Sequence, residues 1–352
     1  MSDGRRPVLL QICPNDHPPF GDICRSYAVA AGLLSWRTET IILEPRSPTR
    51  EPTFHYPASG MIESLRRLLD GGEPVLTLCH RHRAYRAAVE SGVIHSPVVA
   101  VAHEFGFFRR RRRRWQRHWD RLRRRPPVIF AGVSDAVRRE LALAVGDVVL
   151  LPNGIDLAHA DTMRLSREAS LAALGLSNGP FNIGVVGRLH PKKNPGLAVA
   201  GFAAVAAEMP AARLVLVGKG ALDHELRQQA GELPVTFAGF VPEASRLMAA
   251  FDLLLIPSGE REAFGMVALE AMAAGVPVLC GPSPGPRFVV GDCGRFFDRP
   301  TAGDVSGALL AAYRDWRDGL LQELAQRGRA RVEREFSVAA CASRLQALAL
   351  AQ

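Results

Sequence analysis

The sequence predicts an α/β protein built from two doubly wound, Rossmann-like domains. Short apolar runs alternate with helical patterns in both halves of the 352-residue chain. These runs are continuous, which is typical of parallel strands covered by helices on both faces. One polar stretch, between LPNGID and FNIGVVG, interrupts this alternation of strands and helices. A chain of this length can form two hydrophobic cores. We therefore expect a domain over 1–157, a connection over 158–180, a second domain over 181–335 and a last segment over 336–352.

The elements follow in order along the chain. First-half strands are predicted at PVLLQIC, TETIIL, PVLTLC, SPVVAVA, PVIFAGVS and DVVLLP, and second-half strands at FNIGVVG, RLVLVG, VTFAG, DLLLIPS and VPVLC. Helices between them include Cys24–Leu34, Ala136–Ala144 and Asn194–Glu208. The final pattern, Val338–Leu350, has apolar residues at helical spacing, so it could dock on either domain and could cross back to the first.

The positive charge of the chain is concentrated in one place. Hydrophobic content of 47% and charged content of 22% are ordinary for a globular protein, but the net charge is +9. Arg109–Arg125 holds eleven arginines against one acid, so this segment carries +10 and all other residues sum to −1. This distribution argues against a protein that is basic over its whole surface.

Cysteine usage and the amino terminus predict a cytosolic protein. The six cysteines form no C-x-x-C pair, and most stand in apolar runs, which favours buried free thiols in a reducing compartment. The first apolar run is too short for a signal peptide, and no run approaches the ~20 residues that span a bilayer.

The segment GEREAFGMVALEAMAAGVPVLCG contains the most informative pattern. Glu262 and Glu270 flank a helix start at Phe264, Gly265 and Met266. The amides and the positive dipole end of a helix favour a phosphate there, and the two carboxylates could accept hydrogen bonds from sugar and ribose hydroxyls. Alone the pair is weak, because roughly one such spacing arises by chance.

A second group of charges follows the strand FNIGVVG. Arg188 and Lys193 stand on the turn that begins at Gly187, where two cations could hold a diphosphate. Ordinary solvated surface charge is an open alternative for each of them. The adjacent Lys192 is expected to be a bystander.

Six motifs in one order now suggest a family. They are VSDAVRREL, LPNGID, GRLHPKKN, LVLVGKG, VTFAGFV and EAFGMVALEAMAAGVPVL. In this order the chain resembles the retaining glycosyltransferases of family 4, over roughly 98–297. The resemblance implies the GT-B fold, in which two Rossmann-like domains face a central cleft and the carboxyl-terminal domain binds a nucleotide-sugar.

The resemblance also implies roles for particular residues. Arg188 and Lys193 would neutralise the leaving diphosphate, and Glu262 would hold hydroxyls of the transferred sugar; electrostatic stabilisation of this kind is the largest effect such a site can offer. The donor would be UDP- or GDP-linked, and no cofactor is implied. The donor-binding residues would be Gly21, Gly187, Arg188, Lys193, Val241, Glu262, Phe264, Gly265, Met266 and Glu270.

His103 ends the strand SPVVAVA, where the family often has a histidine that faces the sugar. We expect it among the catalytic residues, although a purely structural role stays open. His80 and His82 are too few ligands for a metal site, and no Asp-x-Asp motif is present, so no metal is expected.

Two positions depart from the family pattern. The loop PNDHPPFGD offers only Gly21 where the family usually has paired glycines. Arg287, in PGPRF, stands where the family often has an acid, which leaves the sugar and the base open.

The arginine-rich segment, 107–125, predicts contact with an anionic membrane. On an ideal helix four apolar residues share one narrow face: Phe108, Trp115, Trp119 and Leu122. Tryptophans flanked by arginines favour the headgroup region of an anionic bilayer. A solvated surface helix and a nucleic-acid site are the open alternatives. The expected membrane-contact residues are Phe108, Trp115, Trp119, Leu122, Arg109, Arg112 and Arg114.

The predicted function is transfer of a sugar from a nucleoside-diphosphate-sugar to a glycan or lipid-linked acceptor, with retention. Lipopolysaccharide assembly at the inner face of the cell membrane is the expected setting. A GT-B sugar-nucleotide epimerase and a nucleic-acid-binding protein remain the alternatives.

Overall fold

The computed structural model describes residues 6–44, 53–56, 60–69, 72–108, 126–259 and 261–351. The chain divides into unit 1, Met1–Asp156 with Phe336–Gln352, and unit 2, Leu157–Glu335. Each unit contains one parallel sheet with helices in its crossovers. The predicted α/β class is therefore confirmed.

Unit 1 has a seven-stranded sheet in the order β3-β2-β1-β4-β5-β6-β7. The order reverses between β1 and β4, where Gln11 lies beside Leu78. In doubly wound folds ligands bind beyond the strand ends at such a switch point. The strands are β1 Val8–Cys13, β2 Arg37–Ile42, β3 Phe54–His55, β4 Leu76–His80, β5 Val98–Ala102, β6 Val128–Gly132 and β7 Val149–Leu150. The helices are α1 Phe20–Leu33, α2 Met61–Leu69, α3 Arg81–Ser91, α4 Asp135–Val145 and, from the end of the chain, α13 Val338–Leu350.

Unit 2 has a six-stranded sheet in the order β10-β9-β8-β11-β12-β13. Its switch point lies between β8 and β11, where Ile183 pairs with Leu253. The strands are β8 Phe181–Val186, β9 Ala212–Val217, β10 Val235–Gly239, β11 Leu253–Ile256, β12 Val278–Cys280 and β13 Arg295–Phe296. The helices are α5 Leu157–Met163, α6 Arg167–Ala173, α7 Pro195–Ala203, α8 Asp223–Ala230, α9 Met266–Ala273, α10 Pro284–Val290, α11 Ala302–Arg317 and α12 Leu321–Glu335.

Several helices begin at a hydroxyl side chain. Ser134, Ser166, Thr301 and Ser337 each accept a hydrogen bond from the amide three residues further on. Such a cap satisfies one of the amides that have no acceptor within the helix and stabilises it by about 1 kcal/mol.

The polar stretch 158–180 folds differently from the expected connection. It contributes the helices α5 and α6 to unit 2, because Leu171 and Leu174 bury their side chains there. Arg167 also donates a hydrogen bond to Asp252 at 3.0 Å. The helix predicted over Asn194–Glu208 is shorter than expected, since α7 ends at Ala203.

The segment 336–352 groups with unit 1. Helix α13 packs against α1. The amide of Ile155 donates to the carbonyl oxygen of Phe336 at 2.8 Å. A Cβ on Gly154 would lie 2.3 Å from Sγ of Cys341, so the glycine permits this close approach. All six cysteines are buried free thiols, as predicted.

One expected membrane-contact residue is corrected by the structure. Phe108 is only 6% exposed, because its ring packs against Phe107 and Phe130 at centroid distances of 5.0 and 5.6 Å. It belongs to the core of unit 1. The other expected membrane-contact residues lie outside the described residues: Arg109, Arg112, Arg114, Trp115, Trp119 and Leu122. Among the described helices, none is both long and apolar enough to cross a membrane.

Candidate functional site

A pocket opens at the carboxyl ends of β8 and β11, the switch point of the unit 2 sheet. Its wall includes Gly187, Arg188, Lys193 and Glu262. Four of the residues selected from the sequence are therefore brought together at the place where this fold binds ligands.

Glycines bring two strand ends close together at this pocket. Gly187, which follows β8, has φ 144°, and Gly218, which follows β9, has φ 145°. A Cβ on Gly218 would lie only 1.9 Å from the carbonyl oxygen of Gly187. The missing side chain of Gly218 therefore lets the two strand ends approach each other closely.

The main charge pair of the pocket joins Lys193 and Glu262. Nζ of Lys193 donates to Oε1 of Glu262 at 2.5 Å, and the two side chains are 34% and 15% exposed. The second carboxylate oxygen, Oε2, is buried and has no hydrogen-bond partner among the described residues. An unsatisfied buried carboxylate oxygen is costly, so this atom is a strong acceptor for a ligand hydroxyl.

The second cation of the pocket is more open to solvent. Arg188 is exposed and pairs with no acid within the described part of the chain. Lys192, predicted as a bystander, is also exposed and does not line the pocket. The pocket therefore holds one cation in an ion pair and another that is available to an anion.

The helix α9 begins at the wall of the same pocket. Its N-cap is Gly265, with φ 99°, and its second residue, Val267, lines the pocket. The preceding loop is fixed by Gly285, whose amide donates to the carbonyl oxygen of Glu262 at 3.0 Å. A Cβ on Gly285 would meet backbone atoms of Glu262 and Phe264 at 2.4 Å. The positive end of a helix dipole thus adds to the two cations.

Cys280 ends β12 and is the strand partner of Ile256, which lines the pocket. Burial raises the pKa of Cys280 to about 12, so the thiol remains protonated at neutral pH. A thiol in this state is a poor nucleophile. Within the described residues, no group of three side chains is arranged to hold a metal ion.

Other residues selected from the sequence do not line the pocket. Phe264 is buried, while Met266 and Glu270 lie in α9 and are partly buried. Val241 follows β10 beside Phe240, which is 67% exposed. Arg287 donates to the carbonyl oxygens of Gly281 and Phe297, neither of which lines the pocket. The arginine that stands where the family often has an acid therefore has a structural role in this chain.

Gly21 and His103 belong to unit 1. Gly21 is the second residue of α1, and a Cβ there would lie 2.6 Å from the carbonyl oxygen of Asp16. His103 follows β5, and its Nε2 lies 3.0 Å from Nδ1 of His80. His82, the other histidine considered for a metal, packs against Phe107 and Phe108 instead.

Comparison with known proteins identifies the domain that holds the pocket. Residues 180–315 match the family model of the group 1 glycosyl transferases. Anabaena HepE, solved in complex with UDP, superposes with a TM-score of 0.74 at 18% identity, over 98% of this chain and 100% of that one. A glycosyltransferase from Rickettsia africae superposes with a TM-score of 0.77 at 14% identity, over 98% of each chain. The chain has the GT-B fold and carries a group 1 glycosyl transferase domain.

Over residues 180–315 this match agrees with the glycosyltransferase resemblance found in the sequence. A phosphatidyl-myo-inositol mannosyltransferase of Mycolicibacterium smegmatis is 33% identical over 191 residues, which is 52% of this chain and 47% of the relative. The chain spans about half the length of the curated relatives that it matches.

Sequence reasoning missed part of the site. Pro195, Ser258 and Val267 line the pocket but were not selected: Pro195 and Ser258 lie outside the six motifs, and Val267 lies within the last of them. It also missed His80 as a partner of His103, although His80 ends β4 and His103 follows the neighbouring parallel strand β5. That adjacency is the signal that could have found the pair.

Proposed function

We propose that the chain transfers a sugar from a nucleoside-diphosphate-sugar donor to a hydroxyl of an acceptor, with the donor diphosphate in the unit 2 pocket. The observation that carries this proposal is the Lys193–Glu262 pair beside Arg188 at the start of α9. Two cations and a helix dipole suit a diphosphate, and the free Oε2 of Glu262 suits a sugar hydroxyl.

The same groups would stabilise the departure of the diphosphate. Negative charge grows on the phosphate oxygens as the glycosidic C–O bond breaks, and Lys193 and Arg188 offset it. The acceptor oxygen forms the new bond on the face that the diphosphate leaves, and a phosphate oxygen takes the acceptor proton. The anomeric configuration is then retained, and neither a protein nucleophile nor a metal is required. We expect the activity to survive chelation with EDTA.

The acceptor that we propose is a glycan or a lipid-linked sugar at the cytosolic membrane surface. Similarity to a phosphatidyl-myo-inositol mannosyltransferase supports a lipid-anchored acceptor. The eleven arginines between Arg109 and Arg125 support attraction to anionic lipid, at about 1 kcal/mol for each residue near the surface. Lipopolysaccharide assembly is the pathway we infer for it.

The donor test is a thermal-shift screen with UDP-, GDP- and ADP-sugars, followed by product analysis. Binding of a nucleotide-sugar with release of the free nucleoside diphosphate only when acceptor is added supports transfer. A changed sugar after incubation with donor alone indicates epimerisation instead. No shift with any of these donors contradicts the proposal.

The membrane test is co-sedimentation with vesicles of neutral or of anionic phospholipid. We expect binding to the anionic vesicles only, with a steep decrease as salt is raised. A variant with Arg109–Arg114 changed to glutamine should lose this binding. Equal sedimentation with both vesicle types would contradict the membrane role.

A further inference from the structure

A chain of buried hydrogen bonds runs through the switch point of the unit 1 sheet. It joins His103 after β5, His80 at the end of β4 and Gln11 in β1. Nε2 of His103 lies 3.0 Å from Nδ1 of His80, and Nε2 of His80 lies 3.2 Å from Oε1 of Gln11. His80 and Gln11 are both fully buried.

The direction of the chain is set at its inner end. Nε2 of Gln11 donates to the carbonyl oxygen of Cys24 at 3.0 Å and to Oγ1 of Thr40 at 3.3 Å. A carbonyl oxygen can only accept, so the amide nitrogen of Gln11 must face Cys24. Its Oε1 must then face His80, and Nε2 of His80 must be the donor.

His80 is neutral, so its other nitrogen can only accept. Full burial lowers the pKa of His80 to about 3. Nδ1 of His80 therefore takes a hydrogen bond from Nε2–H of His103. Each bond in the chain points inward, from His103 towards Cys24.

The remaining nitrogen of His103 is left without a proton. Burial, with His80 and Arg81 nearby, lowers the pKa of His103 well below its ordinary value. Its Nδ1 is buried and has no hydrogen-bond partner among the described residues. An unpaired acceptor inside a protein costs free energy unless a ligand donates to it.

The surroundings hold the His103 ring in this orientation. Phe20 packs edge-on against it at a centroid distance of 5.3 Å, and the guanidinium of Arg81 lies 4.9 Å from the centroid of Phe20. Arg81 has a positive φ of 77° and pairs with Glu104 at 2.5 Å. A strained non-glycine residue at a strand end is typical of a functional site.

We propose that Gln11 and His80 are positioning residues that hold His103 as the Nε2–H tautomer, with an unprotonated Nδ1 that is open to a hydrogen-bond donor. The tautomer follows from unit 1 alone, whereas its effect on turnover rests on the proposed function. His103 then acts as a hydrogen-bond acceptor and cannot serve as a proton donor at neutral pH.

The tautomer is tested by long-range ¹H–¹⁵N spectroscopy of the full chain with ¹⁵N-labelled histidine, assigned with His80→Asn and His103→Asn. We expect both rings to show an unprotonated Nδ1 and a protonated Nε2 that do not change between pH 5 and 8. A protonated Nδ1 on either ring would overturn the assignment, whether or not the protein has transferase activity.

The positioning role is tested by kinetics with the donor that binds. His80→Phe removes the acceptor for His103 and should lower kcat/KM about tenfold, as expected for one lost hydrogen bond. His80→Asn places an amide oxygen near the lost Nδ1 and should restore most of the rate. The control is His95→Gln, at an exposed residue. Equal losses in His80→Phe and His80→Asn, with unchanged thermal stability, would contradict the positioning role.

Discussion

The two units present different chemistry at equivalent places in their sheets. At the switch point of unit 2, Lys193 and Glu262 form an ion pair and exposed Arg188 adds a second cation. At the switch point of unit 1, His80 and Gln11 are buried in a neutral, directional chain of hydrogen bonds. Charged side chains suit a diphosphate, whereas a neutral acceptor distinguishes ligands that place a hydrogen-bond donor opposite it from ligands that do not. One fold therefore supports two kinds of recognition, set by the side chains at the strand ends.

The largest effect should come from removing the paired cation of unit 2. Lys193→Met leaves Glu262 without its partner and removes charge stabilisation of the leaving diphosphate. We expect turnover to fall roughly 10²–10³-fold, the usual effect of losing one such group. The matched control is Lys192→Met, one residue away and outside the pocket. Steady-state rates that fall equally in both variants would show that the pocket is misassigned.

The next effect should come from the loop that carries Glu262. Gly285→Ala introduces a Cβ that meets backbone atoms of Glu262 and Phe264 at 2.4 Å. We expect unit 2 to lose about 1–3 kcal/mol of unfolding free energy, as for overpacking, and donor affinity to decrease with it. Chemical denaturation and donor titration measure both quantities.

The control for this change is Gly307→Ala in the middle of α11, where an added Cβ has no neighbour within 4 Å. A glycine in a helix interior is replaced by alanine with a gain of about 0.5–1 kcal/mol. If both alanine variants were neutral, the close packing around Gly285 would not hold the site loop.

The pH dependence of stability should separate the two units. His80 has a pKa of about 3 in the folded state, below the 6.5 of an ordinary histidine. The unfolded chain therefore binds a proton that the folded chain does not, and stability falls as the pH decreases below 6.5. The slope is at most about 1.4 kcal/mol per pH unit for each such histidine.

Urea denaturation between pH 4.5 and 7 measures this slope. The aspartates with lowered pKa values, such as Asp135 and Asp304, act below this window. We expect His80→Asn to flatten the curve. An unchanged curve in that variant would place the titrating group elsewhere and weaken the contrast between the units.

The smallest effect should follow Arg287→Lys. This arginine bonds to the carbonyl oxygens of Gly281 and Phe297 at 2.9 and 2.8 Å, away from the pocket wall. We expect a loss of about 1 kcal/mol in stability and no change in donor affinity beyond twofold. A large loss of donor binding, seen in titration with the nucleotide-sugar, would give Arg287 the direct role that its acidic counterpart has in the family pattern.

The comparison also explains what the sequence could predict. Glu262, Gly265 and Met266 stand within a few residues of each other, so local spacing and a helix start were enough to select them. Gln11, His80 and His103 are separated by 69 and 23 residues and become neighbours only through the strand order. Phe108 was misassigned because helical spacing alone does not reveal that Phe107 and Phe130 enclose its ring. Local motifs are thus visible in the sequence, whereas long-range packing is not.

The central claim is that unit 2 holds a diphosphate by charge at the switch point of its sheet. A crystal structure with UDP-glucose or GDP-mannose, whichever binds more tightly, tests it most directly. We predict that the diphosphate contacts Lys193 and Arg188 at the start of α9, with a sugar hydroxyl donating to Oε2 of Glu262. A nucleotide bound elsewhere, with Lys193 still paired to Glu262 over an empty pocket, would contradict the claim.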